Sequence, residues 1–154
     1  MKISIITITY NSQDTVEETI KSVIRQDYDD LEYIIIDGKS EDNTMQIVNK
    51  YRDRISLIIS EKDEGISDAF NKGINLSTGD IIGIINSDDI LLPNSLNIIS
   101  KQIKKNIDVI YGNGYRLFED GTKKEYKIYP LEQLYKSMIL LHPAVFVKKK
   151  CYEK

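Results

Sequence analysis

The chain has 154 residues and a net charge of −3, with acidic and basic residues interleaved along its length. This length suits one domain with a single core, and the charge pattern excludes the basic face of a nucleic-acid-binding protein. Cys151 is the only cysteine, which excludes an internal disulfide and indicates a reducing compartment. No apolar run reaches the length of a membrane span and no signal peptide is visible, so we expect a cytoplasmic protein without a transmembrane segment.

Strands and helices alternate over the first part of the chain. Apolar, β-rich runs predict strands at 3–9, 31–37, 55–60 and 80–85. Apolar residues at helical spacing predict helices at 14–25 and 67–76, a helix capped by Ser40, and a fourth with Pro93 in its first turn. This order predicts right-handed crossovers and a mostly parallel sheet with helices on both faces.

The pattern changes from Asp108 onward. Residues 108–111 predict a strand, and 115–129 predict an antiparallel hairpin that turns at 119–121. A short helix is predicted at 130–138 and a last strand at 144–147. We therefore expect one α/β domain over residues 1–154, with a small antiparallel hairpin in its C-terminal third.

Polar residues follow each of the four predicted strands of the first part. The clusters are Thr9-Tyr10-Asn11, Asp37-Gly38-Lys39-Ser40, Glu61-Lys62-Asp63-Glu64-Gly65 and Asn86-Ser87-Asp88-Asp89. One polar loop would carry little information, because loops are polar in general. Four loops at the carboxyl ends of parallel strands predict one shared ligand site, since open α/β sheets bind ligands in the crevice at this edge.

Asp88 and Asp89 predict a metal site. Adjacent carboxylates repel each other unless a cation or a proton lies between them. A hard divalent ion, Mg²⁺ or Mn²⁺, suits an all-oxygen site that substrate phosphates complete. A turn ahead of Pro93 would also explain the pair, but the other three clusters favour the ligand site.

The crevice is expected to bind a nucleoside diphosphate. No glycine-rich fingerprint follows the first strand and no Gly-Lys-Ser/Thr loop occurs in the chain. Phosphate charge would therefore be met mainly by metal, with lysines and helix N-termini assisting. Asp37 can accept a hydrogen bond from a base imide or a ribose hydroxyl, and Tyr10 offers an aromatic face for the base.

Four segments, in order, resemble motifs of the family 2 glycosyltransferases with the GT-A fold. They are Ile6-Thr7-Ile8-Thr9-Tyr10-Asn11, Asp37-Gly38-Lys39-Ser40-Glu41-Asp42, Asp63-Glu64-Gly65-Ile66-Ser67-Asp68-Ala69-Phe70-Asn71-Lys72-Gly73 and Asn86-Ser87-Asp88-Asp89. Residues 108–146 resemble the acceptor-side continuation of bacterial polysaccharide members. The resemblance implies a Rossmann-like GT-A fold, with a nucleotide-sugar donor-binding half at 1–107 and an incomplete acceptor-side portion at 108–154.

The resemblance also implies roles for matching residues. Nucleotide-sugar contacts would come from Thr9, Tyr10, Asn11, Asp37, Asp63, Asp68, Lys72, Asn86, Ser87 and Asp88. Asp88 and Asp89 would bind the metal, and His142 is an acceptor-side candidate. Two departures stand out: Asn86 replaces the first acid of the usual DxD motif, and Phe70 stands where many members carry an arginine. Lys72 is the candidate to supply the missing cation.

The implied activity is metal-dependent, inverting transfer of a sugar, by preference from a UDP-sugar, to a saccharide or lipid-linked acceptor. The implied setting is envelope or capsular polysaccharide synthesis, in the cytoplasm or peripherally at the inner face of the cell membrane. In similar enzymes the general base lies beyond the end of this chain. Asp108, Glu119, Asp120, Glu125 and Glu132, the candidate acids after Asp89, lie in no motif that marks a base.

Truncation is therefore expected, and the alternative function is a nucleotide-sugar-binding portion with little or no transfer. Such a chain would expose apolar surface, so we expect some self-association into homo-oligomers. A sugar nucleotidyltransferase is disfavoured because its glycine-rich first loop is absent. A phosphorylation receiver domain would leave the 63–73 motif unexplained.

Overall fold

The computed structural model describes residues 1–118, 120–127, 131–135 and 140–153. The strands are β1 Ile3–Thr9, β2 Leu31–Asp37, β3 Leu57–Ser60, β4 Ile81–Asn86, β5 Val109–Tyr111, β6 Gly114–Leu117, β7 Lys123–Tyr126 and β8 Val145–Lys148. The α-helices are α1 Val16–Ile24, α2 Thr44–Asn49, α3 Ile66–Leu76 and α4 Ser95–Gln102. None of these described helices has the length and apolar composition that crossing a membrane requires.

The main sheet has the strand order β3-β2-β1-β4-β8-β5. β1 pairs in parallel with β2 and β4, and β2 pairs in parallel with β3. β8 lies antiparallel between β4 and β5, and β6 and β7 form a separate hairpin. The predicted mostly parallel sheet with a small antiparallel hairpin is confirmed. The insertion of β8 beside β4 was not predicted, because spatial neighbours of a strand are not visible in its own pattern.

The two sides of β1 pack against different helices. Ile3 and Ile5 belong to a core cluster with buried residues of α1, α2 and α4, whereas Ile6 and Ile8 belong to a second cluster with α3. Alternate residues of a strand point to opposite faces, so the four isoleucines of β1 serve both layers. The predicted helices on both faces of the sheet are confirmed.

Two predicted helix starts are wrong. α2 begins at Thr44 instead of following Ser40 directly, because the Asp42 carboxylate accepts the Thr44 N–H at 2.9 Å and the Ser40 hydroxyl is bound to Asp37. Pro93 precedes α4, which begins at Ser95 after Asn94 in the left-handed region (φ 64°). The chain must reverse direction between β4 and α4, and Asn tolerates this backbone conformation better than most residues.

The structure describes part of the C-terminal segment for which a hairpin and a short helix were predicted. The hairpin turn places Gly121 at φ 80°, and the predicted short helix is a 3₁₀ turn at Leu131–Tyr135. Glu119 and residues 128–130, 136–139 and 154 lie outside the described residues, so the predictions there are not addressed.

Glu32 forms a buried hydrogen-bond network at the edge of the sheet opposite the strand-end clusters. It is 8% exposed and accepts hydrogen bonds from the Ser4 hydroxyl at 2.5 Å, from the Thr78 N–H at 2.7 Å and from Lys2 at 3.0 Å. Burial opposes ionisation, but these donors outweigh it and lower the pKa of Glu32 from 4.5 to about 2. Through Ser4 and Thr78, this network connects β1 and β2 to the segment that precedes β4.

We expect the free energy of unfolding to fall in acid because of Glu32. Its folded pKa lies below its ordinary value, so the stabilisation is complete above pH 4.5 and is lost as the pH falls towards 2; the difference corresponds to about 3 kcal/mol. Glu32→Gln should lower stability at pH 7 by about 2 kcal/mol and flatten the pH dependence. Urea unfolding between pH 7 and pH 3 measures both, with exposed Glu18→Gln as control. An unchanged pH slope in Glu32→Gln would refute this assignment.

Candidate functional site

The loops after β1 and β2 are joined by direct hydrogen bonds. The Gly38 N–H donates to the Thr9 carbonyl at 2.9 Å, and the Asn11 N–H donates to the Ser40 hydroxyl oxygen at 2.8 Å. Asn11 adopts a left-handed conformation (φ 47°), and its side-chain oxygen accepts the Glu41 N–H at 2.9 Å. The predicted convergence of these two clusters is present, and backbone N–H groups are the donors in all three hydrogen bonds.

Asp37 lies beneath this junction and is fully buried. Its carboxylate accepts the Ser40 N–H at 3.0 Å and the hydroxyls of Ser40 and Ser60, both at 2.5 Å. Hydrogen bonds of this kind compensate a buried carboxylate for lost water. Asp37 therefore joins the loop after β2 to the end of β3, and Ser40 in turn contacts the loop after β1. Its predicted contact with a nucleoside stays a prediction.

Tyr10 and Asp63 flank Gly38. A Cβ atom on Gly38 would lie 2.7 Å from Oδ2 of Asp63 and 3.3 Å from Cδ2 of Tyr10. Oδ1 of Asp63 accepts the Gly65 N–H at 3.0 Å, which leaves Oδ2 without a hydrogen bond among the described residues. Tyr10 is 61% exposed. The exposed ring of Tyr10 and the available Oδ2 of Asp63 thus lie on either side of Gly38, which has no side chain. This arrangement suits a planar base with an N–H donor.

Lys72 is occupied by protein partners. Its ammonium lies 3.0 Å from both Oε1 of Glu61 and Oδ2 of Asp68, and it donates to the Lys62 carbonyl at 3.2 Å. These contacts match the three donors of an ammonium group. The hydrogen bond from the Glu64 N–H and the bond to Lys72 both lower the pKa of Asp68. The predicted roles of Asp68 and Lys72 in ligand binding stay predictions, and a phosphate contact by Lys72 would require these ion pairs to break.

The loop after β4 opens into a cleft. Ser87 is joined to Ser12 of the β1 loop by a hydroxyl–hydroxyl hydrogen bond of 2.8 Å. Asp88 is exposed, and its carboxylate has no hydrogen bond or ion pair within the described part of the chain. The cleft has a volume of about 340 Å³ and is lined by Asn11, Ser12, Asp14, Thr15, Ser87 and Asp88. The clusters after β1 and β4 therefore share one open space.

Two buried side-chain oxygen atoms at the carboxyl ends of β1 and β4 have no partner among the described residues: Oγ1 of Thr9 and Oδ1 of Asn86. They belong to adjacent strands, since Ile8 of β1 pairs with Asn86 of β4. Buried polar atoms are nearly always hydrogen-bonded, and exceptions often mark places where water, an ion or a ligand binds. Both residues were predicted as ligand contacts, and that assignment stays a prediction.

Asp89 turns back towards the strand. Its Oδ2 accepts the Asn86 N–H at 3.3 Å, and its own N–H donates to the Asn86 carbonyl at 3.1 Å. Burial, followed by repulsion from Asp88, raises the pKa of Asp89, and the hydrogen bond from the Asn86 N–H opposes this rise. Two carboxylates in one tight turn favour a cation beside them.

His142 reaches the same region from the C-terminal part of the chain. Its ring stacks on Phe70 of α3, with ring centroids 5.2 Å apart and an interplanar angle of 24°. Phe70, the residue that departs from the family pattern, thus supports an imidazole in place of a cation of its own. The sequence contained no signal for this contact, because the two residues are 72 positions apart.

The donor set fits a divalent metal ion that takes most of its ligands from elsewhere. No group of three or more His, Cys, Asp or Glu side chains is arranged for a metal among the residues that the structure describes. Mg²⁺ in particular keeps several waters and is held by one or two carboxylates together with substrate phosphates. Asp88, with the unpartnered oxygen of Asn86 and the nearby carboxylate of Asp89, matches that pattern.

Three of the described acids after Asp89 have partners of their own. Asp108 pairs with Lys150 at 2.6 Å and with Lys148 at 3.6 Å, and the bond from Lys150 leads the contacts that lower its pKa. The Thr122 hydroxyl lowers the pKa of Asp120, and Glu125 lies 3.8 Å from Lys127. A general base must reach the proton that it removes. None of these three acids has a contact that places it in the strand-end cleft.

Three serines of the site were missed from the sequence as functional residues. Ser12 joins two loops, while Ser40 and Ser60 hold Asp37. Each lies within or next to a strand-end cluster, so proximity was the available signal. A serine in such a loop is common, however, and only the contacts distinguish these three.

Comparison with known proteins gives independent evidence on the family and the fold. The chain is 35% identical over 122 residues to the E. coli protein WfgD, named UDP-Glc:alpha-D-GlcNAc-diphosphoundecaprenol beta-1,3-glucosyltransferase, covering 78% of this chain and 48% of WfgD. The crystal structure of S. aureus TarS residues 1–349 in complex with UDP-GlcNAc matches with a TM-score of 0.79 and 22% identity, over 99% of this chain and 47% of that one. A Pyrobaculum calidifontis mannosyltransferase in complex with GDP-Man and Mn²⁺ matches with a TM-score of 0.74 and 18% identity, over 99% and 46%.

The two structural matches show the fold, which is the predicted GT-A arrangement. The chain spans about half the length of the curated relatives that it matches. The family profile described as Glycosyl transferase family 2 matches residues 4–148, which include all four strand-end clusters and His142. The chain therefore belongs to glycosyltransferase family 2.

Proposed function

We propose that this chain binds the nucleoside diphosphate part of a sugar donor, a UDP-sugar by preference, at the carboxyl edge of its sheet. The observation that carries the proposal is the meeting of two half-sites at that edge. Tyr10 and Asp63 flank Gly38 as a base platform, and the Ser12–Ser87 bond connects the neighbouring β1 and β4 loops around the Asp88 cleft. The base would lie on the platform and the diphosphate would extend towards Asp88.

Uracil suits the platform because its N3–H can donate to Oδ2 of Asp63 while its ring stacks on Tyr10. Asp37 would hold the loops in place beneath the base. WfgD is named for UDP-Glc and TarS was crystallised with UDP-GlcNAc, which supports a uridine donor here. The particular sugar would be set by groups around the cleft.

We propose that Asp88, with Asn86 and Asp89, holds Mn²⁺ or Mg²⁺. When bound, the ion would stabilise the negative charge that develops on the departing diphosphate. The chain's own residues would orient the donor: Ser12 and Ser87 fix the two sides of the cleft, and Phe70 holds the His142 ring beside Asp89. The Mn²⁺ complex of the structurally similar mannosyltransferase supports this assignment.

In the whole protein, the proposed reaction is inverting transfer to a saccharide or lipid-linked acceptor, at the inner face of the cell membrane. The diphosphoundecaprenol acceptor in the name of WfgD supports a lipid-linked class. In-line attack requires a base on the acceptor side, and His142 marks the acceptor-side border of the site. Since Asp108, Asp120 and Glu125 are engaged elsewhere, the alternative is that residues 1–154 bind the donor and transfer little or no sugar by themselves.

Calorimetric titration of UDP into the chain tests the donor site, first with Mn²⁺ and then with EDTA. We expect measurable binding that Mn²⁺ strengthens, and tighter binding of UDP than of CDP or GDP. An assay with UDP-sugar and a lipid-diphosphate acceptor separates transfer from binding alone. Absence of UDP binding under both conditions would refute the proposal.

A further inference from the structure

Buried polar side chains on α1 face the loop that follows β4. Thr19 is fully buried and Gln26, just beyond the end of α1, is 8% exposed. With Ser22 they lie at positions i, i+3 and i+7, which places them on one side of the helix. The side of a helix that packs on a sheet is normally apolar, so this polar stripe requires an explanation.

The stripe binds the backbone of residues 89–96 directly. The Thr19 hydroxyl donates to the Asp89 carbonyl at 2.8 Å, and the Ser22 hydroxyl oxygen accepts the Leu91 N–H at 3.0 Å. The Gln26 amide donates to the Leu92 carbonyl at 2.9 Å and accepts the Leu96 N–H at 3.3 Å. Four backbone groups, from Asp89 to the first turn of α4, are thus held by three side chains.

Apolar packing anchors this loop only in part. Ile90 is 55% exposed and Leu92 is 49% exposed, whereas Leu91 between them is 7% exposed. The loop also contains two adjacent carboxylates, Asp88 and Asp89, which repel each other. A loop with such internal repulsion and a single buried apolar side chain needs other contacts to keep one conformation.

We propose that Thr19, Ser22 and Gln26 are positioning residues that set the backbone of the Asp88–Asp89 turn for binding the metal–diphosphate group. This inference rests on the proposed function, since the turn must bind that group. The three residues touch neither the metal nor the nucleotide and act through the carbonyl and amide groups of residues 89–96. The Thr19 bond bears most directly on the carboxylates, because it holds the Asp89 carbonyl itself.

The test is Thr19→Val, which preserves the shape of the side chain and removes its hydrogen bond. The matched control is Thr7→Val, which removes an equally buried hydroxyl whose partner is Tyr33 at 3.1 Å, away from the loop. Both variants are titrated with Mn²⁺ alone, and electron paramagnetic resonance monitors the binding. Both are also titrated with UDP, once in the presence of Mn²⁺ and once in the presence of EDTA. Thermal unfolding of both variants reports their stability separately.

We expect Thr19→Val to weaken Mn²⁺ binding and Mn²⁺-dependent UDP binding by about three- to tenfold. UDP binding in EDTA should stay unchanged, and Thr7→Val should match the parent chain in all three titrations. If Thr19→Val does not fold, Ser22→Ala removes the partner of the Leu91 N–H at a half-buried position and is read in the same way.

Two results would overturn the inference, and they are distinguishable. Equal Mn²⁺ affinities in Thr19→Val, Thr7→Val and the parent chain would show that the stripe serves stability alone, and the proposed function would stand. UDP binding by the parent chain that Mn²⁺ does not change would refute the proposed metal assignment and, with it, the positioning role.

Discussion

Asp88→Asn should abolish most of the Mn²⁺ dependence of UDP binding. Asp88 is exposed in the cleft between the β1 and β4 loops, so the substitution removes a charge without leaving a buried group unpaired. Loss of groups that only support metal ligands costs about 10- to 100-fold in metal affinity, and loss of a ligand charge should cost at least as much. Titration of UDP in Mn²⁺ and in EDTA measures the effect as the ratio of the two Kd values.

The control for this experiment is Asp53→Asn, the same chemical change in an exposed residue of the 3₁₀ turn at Arg52–Arg54. It should leave both titrations unchanged. UDP binding in EDTA should be similar in Asp88→Asn and the parent chain, because the base platform is intact. A Mn²⁺ dependence retained in full by Asp88→Asn would place the metal elsewhere.

Asp63→Asn should change which base the chain prefers. The asparagine oxygen can keep the bond to the Gly65 N–H, and its NH₂ group then replaces Oδ2 beside Gly38. A donor would face the uracil N3–H, which is also a donor, while the N3 of cytosine is an acceptor. We expect UDP affinity to fall about 10- to 100-fold, the scale of a lost hydrogen bond to a charged group, and CDP affinity to be maintained or to rise.

Glu64→Gln provides the matched control, since it alters the neighbouring exposed carboxylate. It should leave the ratio of UDP to CDP affinity unchanged. The measurement is competition between the two nucleotides under identical Mn²⁺ concentration. If Asp63→Asn lowers UDP and CDP affinity equally, Asp63 does not contact the base, and Asp37 becomes the remaining carboxylate candidate for that role.

Much of the fold and the position of the candidate site could be predicted from the order of residues. Apolar runs such as 81–85 are too short and too β-branched for helices, and they alternate with segments of helical period. That alternation entails a parallel sheet, and a parallel sheet brings all carboxyl ends to one edge. The strand-end clusters therefore predict a shared site from the sequence alone.

Element boundaries in the second half were harder to predict because the deciding contacts are distant in sequence. β8 lies between β4 and β5 as an antiparallel strand, and its short pattern is compatible with several partners. Gly83 of β4 helps to select this pairing, because it has no side chain and Phe146 of β8 occupies the space that a side chain would fill. A glycine in a strand is visible in the sequence, but the residue that fills its place is not.

By itself, the sequence determined which loops border the candidate site, because local periodicity sets the strands and the strands set the edge. The tertiary structure alone decided what each candidate residue is free to do. It buries Asp37 among serine donors, leaves an oxygen of Asp63 available, and pairs Lys72 with Glu61 and Asp68. It also turns the polar side of α1 towards the Asp89 loop. The reason is physical: hydrogen bonds and charge pairs act over a few ångströms in space, and residues 20 to 70 positions apart come within that reach only after the chain has folded.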